Sequence, residues 1–223
     1  MSWIGWRRDG GDCLIGRFIR AKTVQDAWYR GLELIYRGGQ VITDERGSQT
    51  RELLNLMIVV EDLERERIPA GFGWTEDRLR EYAEQLLDGD AHGFEYTYGQ
   101  RLRAWGSGTD QIAYVIGKLT ESPQTRRACA ITWVADVDTK REEVPCMMAV
   151  DFKLRDGALH LTALFRSHDF AGAYPANLYG LTEVLRYVAG KLSVRIGTIT
   201  TLSISAHIYE HDWERVERIL QLN

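Results

Sequence analysis

The stretch CMMAVDFKLRDGALHLTALFR, Cys146 to Arg166, decides how the second half of this chain folds. On either side of Asp156-Gly157 the residues are largely β-branched, aromatic or aliphatic with a period of two, and an Asp-Gly pair is a strong signal for a two-residue hairpin. Strands 146–154 and 158–166 are therefore expected as antiparallel neighbours. The same texture marks ACAITWVA at 128–135 and GTITTLSISAHIY at 197–209, so four strands are expected from Ala128 onward. An apolar run from Leu178 to Leu192, with Leu181, Leu185 and Val188 on one face, predicts a long helix between the last two strands. A final helix is expected from about Asp212 to Leu222.

Upstream, helical spacing dominates. Thr23 followed by Asp26 resembles a capping box ahead of Val24, Trp28, Leu32 and Ile35, and Gly38-Gly39 stops that run. Thr75 is placed to cap a second helix bearing Leu79, Tyr82 and Leu86, and Thr109 a third bearing Ile112, Val115, Ile116 and Leu119. The segments between them read as glycine-rich and acidic connections. With no repeat, low-complexity tract or Pro/Ser-rich linker, residues 1–223 read as a single α+β domain.

Composition narrows the function. A chain of 223 residues, 44% hydrophobic, is long enough for one well-buried core and short for two. Its net charge of -4 argues against a broad nucleic-acid footprint, yet leaves room for a few arginines gathered around one phosphate. There is no run of about 18 apolar residues, and the start, MSWIGWRRDGGD, lacks the order of a signal peptide, so a cytoplasmic protein without a membrane partner is expected. Cys13, Cys129 and Cys146 are far apart, with neither a CxxC nor a metal-like pairing with histidine. Cys13 and Cys129 are read as structural; any important thiol acts alone.

Four places could carry chemistry. Cys146, behind Pro145, is either a small buried hydrophobe or a nucleophile whose thiolate needs a positive neighbour, and Arg166, at the end of the paired strand, is the candidate. Arg166, Ser167, His168 and Asp169 follow a strand directly, as a solvated loop or as a ligand-facing mouth, and Asn177 either caps the next helix or reads a donor–acceptor edge. In a strand Ser203, Ser205, His207 and Tyr209 share one face, pointing to solvent or to a sugar hydroxyl. Arg126 and Arg127 adjoin at a strand entrance and project in opposite directions; they are a solvated pair or serve a neighbouring subunit.

Their order is more informative than any one of them. PCMM at 145–148, FRSHD at 165–169, PANL at 175–178 and AHIY at 206–209, preceded by YGQRLRAW at 98–105, DQI at 110–112 and SPQTRR at 122–127, resemble successive segments of the folate-dependent thymidylate synthase family. The resemblance implies a three-layer α/β fold, with a mixed sheet, helices on one face, and two sheets packed back to back in a homodimer. It also implies that Cys146 adds to C6 of dUMP. Arg166 and Ser167 would bind the 5′-phosphate, and Arg126 and Arg127 would reach it from the other subunit. Asn177 would select uracil, His207 and Tyr209 would hold the 3′-hydroxyl, Asp169 would meet the pterin, and Tyr98 would stand near the proton leaving C5. The cosubstrate implied is 5,10-methylenetetrahydrofolate or a methanopterin analogue, with no metal, no flavin and no nucleic acid required.

The N-terminal third departs from the family pattern. In TDERGSQTR, Arg46 is the first choice and Arg51 the second for a further phosphate arginine, and Glu84 in LREYAEQLLDG is the candidate for the family's water-organising glutamate. The end at Asn223, where the family usually continues, makes the chain resemble the short archaeal-type synthases, whose carrier can be a modified pterin. A pyrimidine nucleotide 5-hydroxymethylase of the same fold, or a nucleotide-binding protein without turnover, are the alternatives. Asn177 favours uracil over cytosine in the first comparison, and retention of Cys146 weighs against the second.

Overall fold

The computed structural model describes residues 15–91, 93–106 and 108–221. Cys13 and the opening stretch considered above lie outside the described residues. Strand β1 (Ile15–Thr23) runs into helix α1 (Val24–Gly38), followed by β2 (Gln40–Thr43) and the long β3 (Gln49–Asp62). Helices α2 (Glu76–Leu87), α3 (Tyr98–Arg103) and α4 (Gln111–Glu121) come next, then β4 (Cys129–Ile131) and the short α5 (Ala135–Asp138). The chain continues through β5 (Met147–Arg155), β6 (Ala158–Asp169), α6 (Tyr174–Leu192), β7 (Arg195–Tyr209) and, after a 3-10 turn, α7 (Trp213–Gln221).

The strands form one mixed sheet in the order β1-β3-β7-β6-β5-β4, with β2 alongside β3. The Asp156-Gly157 hairpin is present: β5 and β6 are antiparallel with Leu154 opposite Leu159, and the two turn residues have φ of 52° and 71°. Positive φ at both central positions is what a type I′ turn requires, which is why Asp-Gly serves there. Helix α1 is capped by the Thr23 hydroxyl, which accepts from Asp26 N–H, while the Asp26 carboxylate accepts from Lys22 N–H.

Lateral neighbours define the faces. Ile19 beside Ile58, Ala21 beside Val60, Ile199 beside Leu161 and Val150 beside Ala163 are buried under the helices. On the opposite face Phe18 lies beside Met57, and these two, like Ile131 and Ile204, are exposed. Helices thus cover one face of an open mixed sheet, as the resemblance implied.

The structure corrects several expectations. Strands β2 and β3 occupy a region read as connections, and β1 occupies a stretch to which no element was assigned. β3 lies inside the sheet, and its RELLNLMIVVED pattern carries the alternation expected of a half-buried strand. Helix α4 is capped by Asp110, whose carboxylate accepts from Ala113 N–H, rather than by Thr109. Strand β4 spans three residues, and α6 starts four residues before Leu178 because Pro175 is tolerated in a first turn.

Alternation along β7 also breaks. Opposite Asn55, whose φ is 58°, the ladder skips Ile204 while pairing Leu54 with Ser205 and Leu56 with Ser203. Burial then changes phase, with Ile199, Thr201 and Ser203 buried before the break and Ala206 and Ile208 after it. Asn tolerates the left-handed region better than most residues, so β3 can bend there. Ser203 therefore joins the core, while Ser205, His207 and Tyr209 line a cavity.

Candidate active site

A cavity of about 310 Å³ gathers residues from the β2–β3 turn, β3, β6, β7 and the segment entering β5. Cys146 lines it immediately before β5 starts at Met147. Its backbone is fixed from both sides: Arg166 N–H donates to Cys146 O at 2.8 Å, and Met147 N–H donates to the Tyr98 hydroxyl at 3.1 Å. The Arg166 guanidinium completes the clamp by donating from Nε to Pro145 O and from Nη2 to Val144 O, both at 3.0 Å. Arg166 Nη2 lies 3.9 Å from Cys146 Sγ.

Burial pushes the Cys146 thiol above its ordinary value; Arg166 pulls it back in part, while Glu143 and Asp169 push it further up. The guanidinium is thus where the sequence reading expected it and acts in the expected direction, but desolvation outweighs it. Tyr98 and Tyr96 are held protonated, Tyr98 well above and Tyr96 at about 12, chiefly by burial.

Ser167, His207 and Tyr209 line the same cavity. His207 is 5% exposed and packs edge-on to Tyr209, ring centres 4.9 Å apart. Arg46 also lines the cavity, and its Nη2 pairs with Glu143 Oε1 at 2.7 Å, both side chains well exposed. Arg51 does not line it; its guanidinium lies between the Tyr36 and Trp213 rings, 4.7 Å and 4.8 Å from their centres. Between the two arginines of the TDERGSQTR turn, the geometry therefore favours Arg46.

Arg126 and Arg127 are exposed and stand apart from the cavity, beside Lys118 and Glu121. Within the cavity Asp44, Glu45, Glu52 and Glu143 outnumber Arg46 and Arg166 by four carboxylates to two guanidiniums.

Three expected residues sit differently from the simple picture of a strand mouth. His168 is buried, stacked on Phe165 at 3.7 Å, and burial lowers its pKa to about 3. Asn177, 9% exposed, is in the first turns of α6 with its amide between His168 and Tyr82 rather than capping the helix. Asp169 turns its Oδ1 into its own loop, accepting from Ala171 N–H at 3.1 Å and Gly172 N–H at 2.9 Å.

Glu84 is placed away from Cys146. It lines a separate groove with Arg67, Arg80 and Arg186, because Leu79, Ala83 and Leu86 set the buried face of α2 and residue 84 falls outside it. The α2 side chain that does reach the Asn177 amide is Tyr82, which the sequence reading treated as a packing residue.

A family model described as thymidylate synthase matches residues 47–223, most of the chain. The chain belongs to the thymidylate synthase family. A Methanosarcina acetivorans protein named "Putative thymidylate synthase" is 63% identical over 208 residues, covering 93% of this chain and 96% of the relative. The identically named protein of Methanothermobacter thermautotrophicus is 41% identical over 218 residues, 91% of this chain and 98% of its own. That of Methanocaldococcus jannaschii is 34% identical over 209 residues, with 90% and 94% covered.

In this member of the thymidylate synthase family the cavity also contains residues that the sequence reading missed. Glu52 pairs with His207 across the β3–β7 ladder and accepts a hydrogen bond from the Ser205 hydroxyl. Tyr96 donates to Val144 O at 3.2 Å, and Glu143 stands beside Arg46. Assigning β3 from its alternation would have brought Glu52 and Thr50 to the site. No local signal marks Glu143 or Tyr96, which arrive from loops. Among the described residues, no helix is long and apolar enough to cross a membrane.

Proposed function

We propose that this chain catalyses the reductive methylation of dUMP to dTMP, with Cys146 as the nucleophile that adds to C6 of the pyrimidine. The observation that carries this reading is the clamped Cys146, its Sγ 3.9 Å from Arg166 Nη2, facing His207 and Tyr209 across one cavity. Addition at C6 moves electron density onto C5 and O4, making C5 a carbon nucleophile that the free ring does not offer. Arg46, Arg166 and Ser167 bind the 5′-phosphate, and guanidiniums suit a phosphate dianion.

The acidic excess of the cavity supports a homodimer in which Arg126 and Arg127 of one subunit complete the phosphate site of the other. The exposed apolar strip containing Phe18, Met57 and Ile204 suits back-to-back packing of two sheets. His207 and Tyr209 take the deoxyribose hydroxyl, and Asn177 reads the pyrimidine edge. Tyr98, protonated and hydrogen-bonded at Met147 N–H, orders the polar groups that take up the C5 proton.

A methylene-tetrahydropterin, whether tetrahydrofolate or a methanopterin analogue, supplies the one-carbon unit and then the hydride. Asp169 is the residue proposed to meet it, through the oxygen not engaged by the loop. Glu84 has no part in this reading, since it faces another groove.

The test is a covalent adduct with dUMP fluorinated at C5, which has no C5 proton to lose, measured by intact-protein mass spectrometry in the presence of the reduced pterin. The account requires one adduct per chain in the wild type and none in Cys146→Ala. Binding of the nucleotide without an adduct would identify a passive binder.

A further inference from the structure

The Asn177 amide is the centre of a hydrogen-bonded chain crossing four elements, α2, α6, β6 and β7. Its Nδ2 donates to the Tyr82 hydroxyl at 2.5 Å, its Oδ1 lies 3.1 Å from His168 Nε2, and His168 Nδ1 lies 2.8 Å from Ser203 Oγ. An amide oxygen only accepts, so Nε2 carries the imidazole proton. A neutral ring then leaves Nδ1 to accept from the Ser203 hydroxyl, and burial keeps His168 neutral. Every link runs the same way, from Ser203 through His168 and Asn177 to Tyr82.

We propose that this relay fixes which end of the Asn177 amide meets the pyrimidine, making Tyr82 and His168 positioning residues that set the preference for a 4-oxo over a 4-amino pyrimidine nucleotide. The inference rests on the proposed role of Asn177 at the pyrimidine edge. Once the relay has used one Oδ1 lone pair and one Nδ2 hydrogen, the amide retains one acceptor and one donor side by side. That pair matches N3–H and O4 of uracil. Cytosine presents the reverse, an acceptor at N3 and a donor at the 4-amino group, and would need the amide turned over. Turning it over inverts all three links together: Tyr82 must donate, the imidazole must change tautomer, and Ser203 must accept.

The relay also explains why two residues remote from phosphate and sugar are polar inside an apolar layer. His168 is packed between Phe165 and Phe170, and Ser203 is fully buried. Leaving such groups unpaired is costly, so each serves to hold its neighbour.

The experiment compares equilibrium binding of dUMP, dCMP and inorganic phosphate to the wild type, Tyr82→Phe and Ser203→Ala. Tyr82→Phe removes the acceptor at one end and Ser203→Ala the donor at the other, each with little change in shape. The relay requires dUMP affinity to fall about tenfold in Tyr82→Phe, with dCMP and phosphate nearly unchanged, so that discrimination collapses by the same factor. Ser203→Ala moves the ratio in the same direction by a smaller factor. Equal weakening of dUMP and dCMP, or no change in either variant, overturns the relay while leaving the role of Asn177 intact. A wild type that binds dUMP no better than dCMP overturns the role of Asn177 itself, and the relay with it.

Discussion

Arg166 and Cys146 are joined twice: Arg166 N–H donates to Cys146 O at 2.8 Å, and Arg166 Nη2 lies 3.9 Å from Cys146 Sγ. The same guanidinium holds the Val144 and Pro145 carbonyls, so one side chain both aims the thiol and supplies its nearest positive charge. Burial nevertheless keeps the thiol above its ordinary value. Because the thiolate is the attacking form, adduct formation is expected to rise with pH and to level off only beyond the ordinary thiol range. Removing the charge in Arg166→Ala raises the thiol further, moving that plateau to higher pH and lowering the rate at pH 7 by about 10²–10³-fold. Stopped-flow measurement of adduct formation across pH checks both statements.

Glu143 occupies Arg46 where the account places a phosphate. The pair is exposed, so it exchanges readily and is screened by salt. Glu143→Gln is expected to free the guanidinium and tighten dUMP binding about two- to fivefold at low ionic strength, with the gain shrinking as salt is raised. Isothermal titration at two salt concentrations reads this directly; an unchanged affinity would show that Arg46 makes no phosphate contact.

Asp169, proposed above to meet the pterin, carries a cost to stability. Burial raises its pKa, so as pH rises the unfolded chain releases this proton first. Stability therefore falls from the ordinary carboxylate range up to the folded value, and the penalty persists at pH 7. Asp169→Asn keeps an oxygen for the Ala171 and Gly172 N–H groups without the charge. It is expected to raise Tm at pH 7 by about 2–4 °C while impairing turnover. The gain should vanish below the ordinary carboxylate range, where both proteins carry a neutral group there. Calorimetry at acidic and neutral pH tests the sign.

Arg101 and Asp138 form a bidentate pair buried completely between α3 and α5, with contacts of 2.6 Å and 3.3 Å. Asp138 also accepts from Val134 N–H at 2.6 Å, so the pair holds the chain that leads towards Cys146. Asp138→Ala strands a guanidinium in the interior and is expected to cost about 3–5 kcal/mol. Urea unfolding of the variant measures this.

The C-terminal half was largely legible because its signals are local. Asp156-Gly157 fixes a turn type, and the flanking alternation fixes the faces. β3 escaped because its sheet position depends on neighbours distant in sequence, although its alternation was visible. Period two puts Ser203 on the face of Ser205, but the alternation breaks where Asn55 adopts a positive φ, which no rule of period two anticipates. In sequence only likeness to the family favours Arg46 over Arg51; the cavity and the Tyr36–Trp213 sandwich give the physical reason. Tyr82 looked like a core residue because its helical spacing is that of one, and only the Asn177 contact reveals its polar end.

The most direct test of the central claim is release of tritium from dUMP labelled at C5, with methylenetetrahydrofolate and separately with tetrahydromethanopterin carrying the one-carbon unit. The pyrimidine product is analysed alongside. The account requires release with one of these carriers, formation of dTMP, loss of both in Cys146→Ala, and little turnover of dCMP. Tritium release that persists without Cys146, or a 5-hydroxymethyl product in place of dTMP, would contradict it.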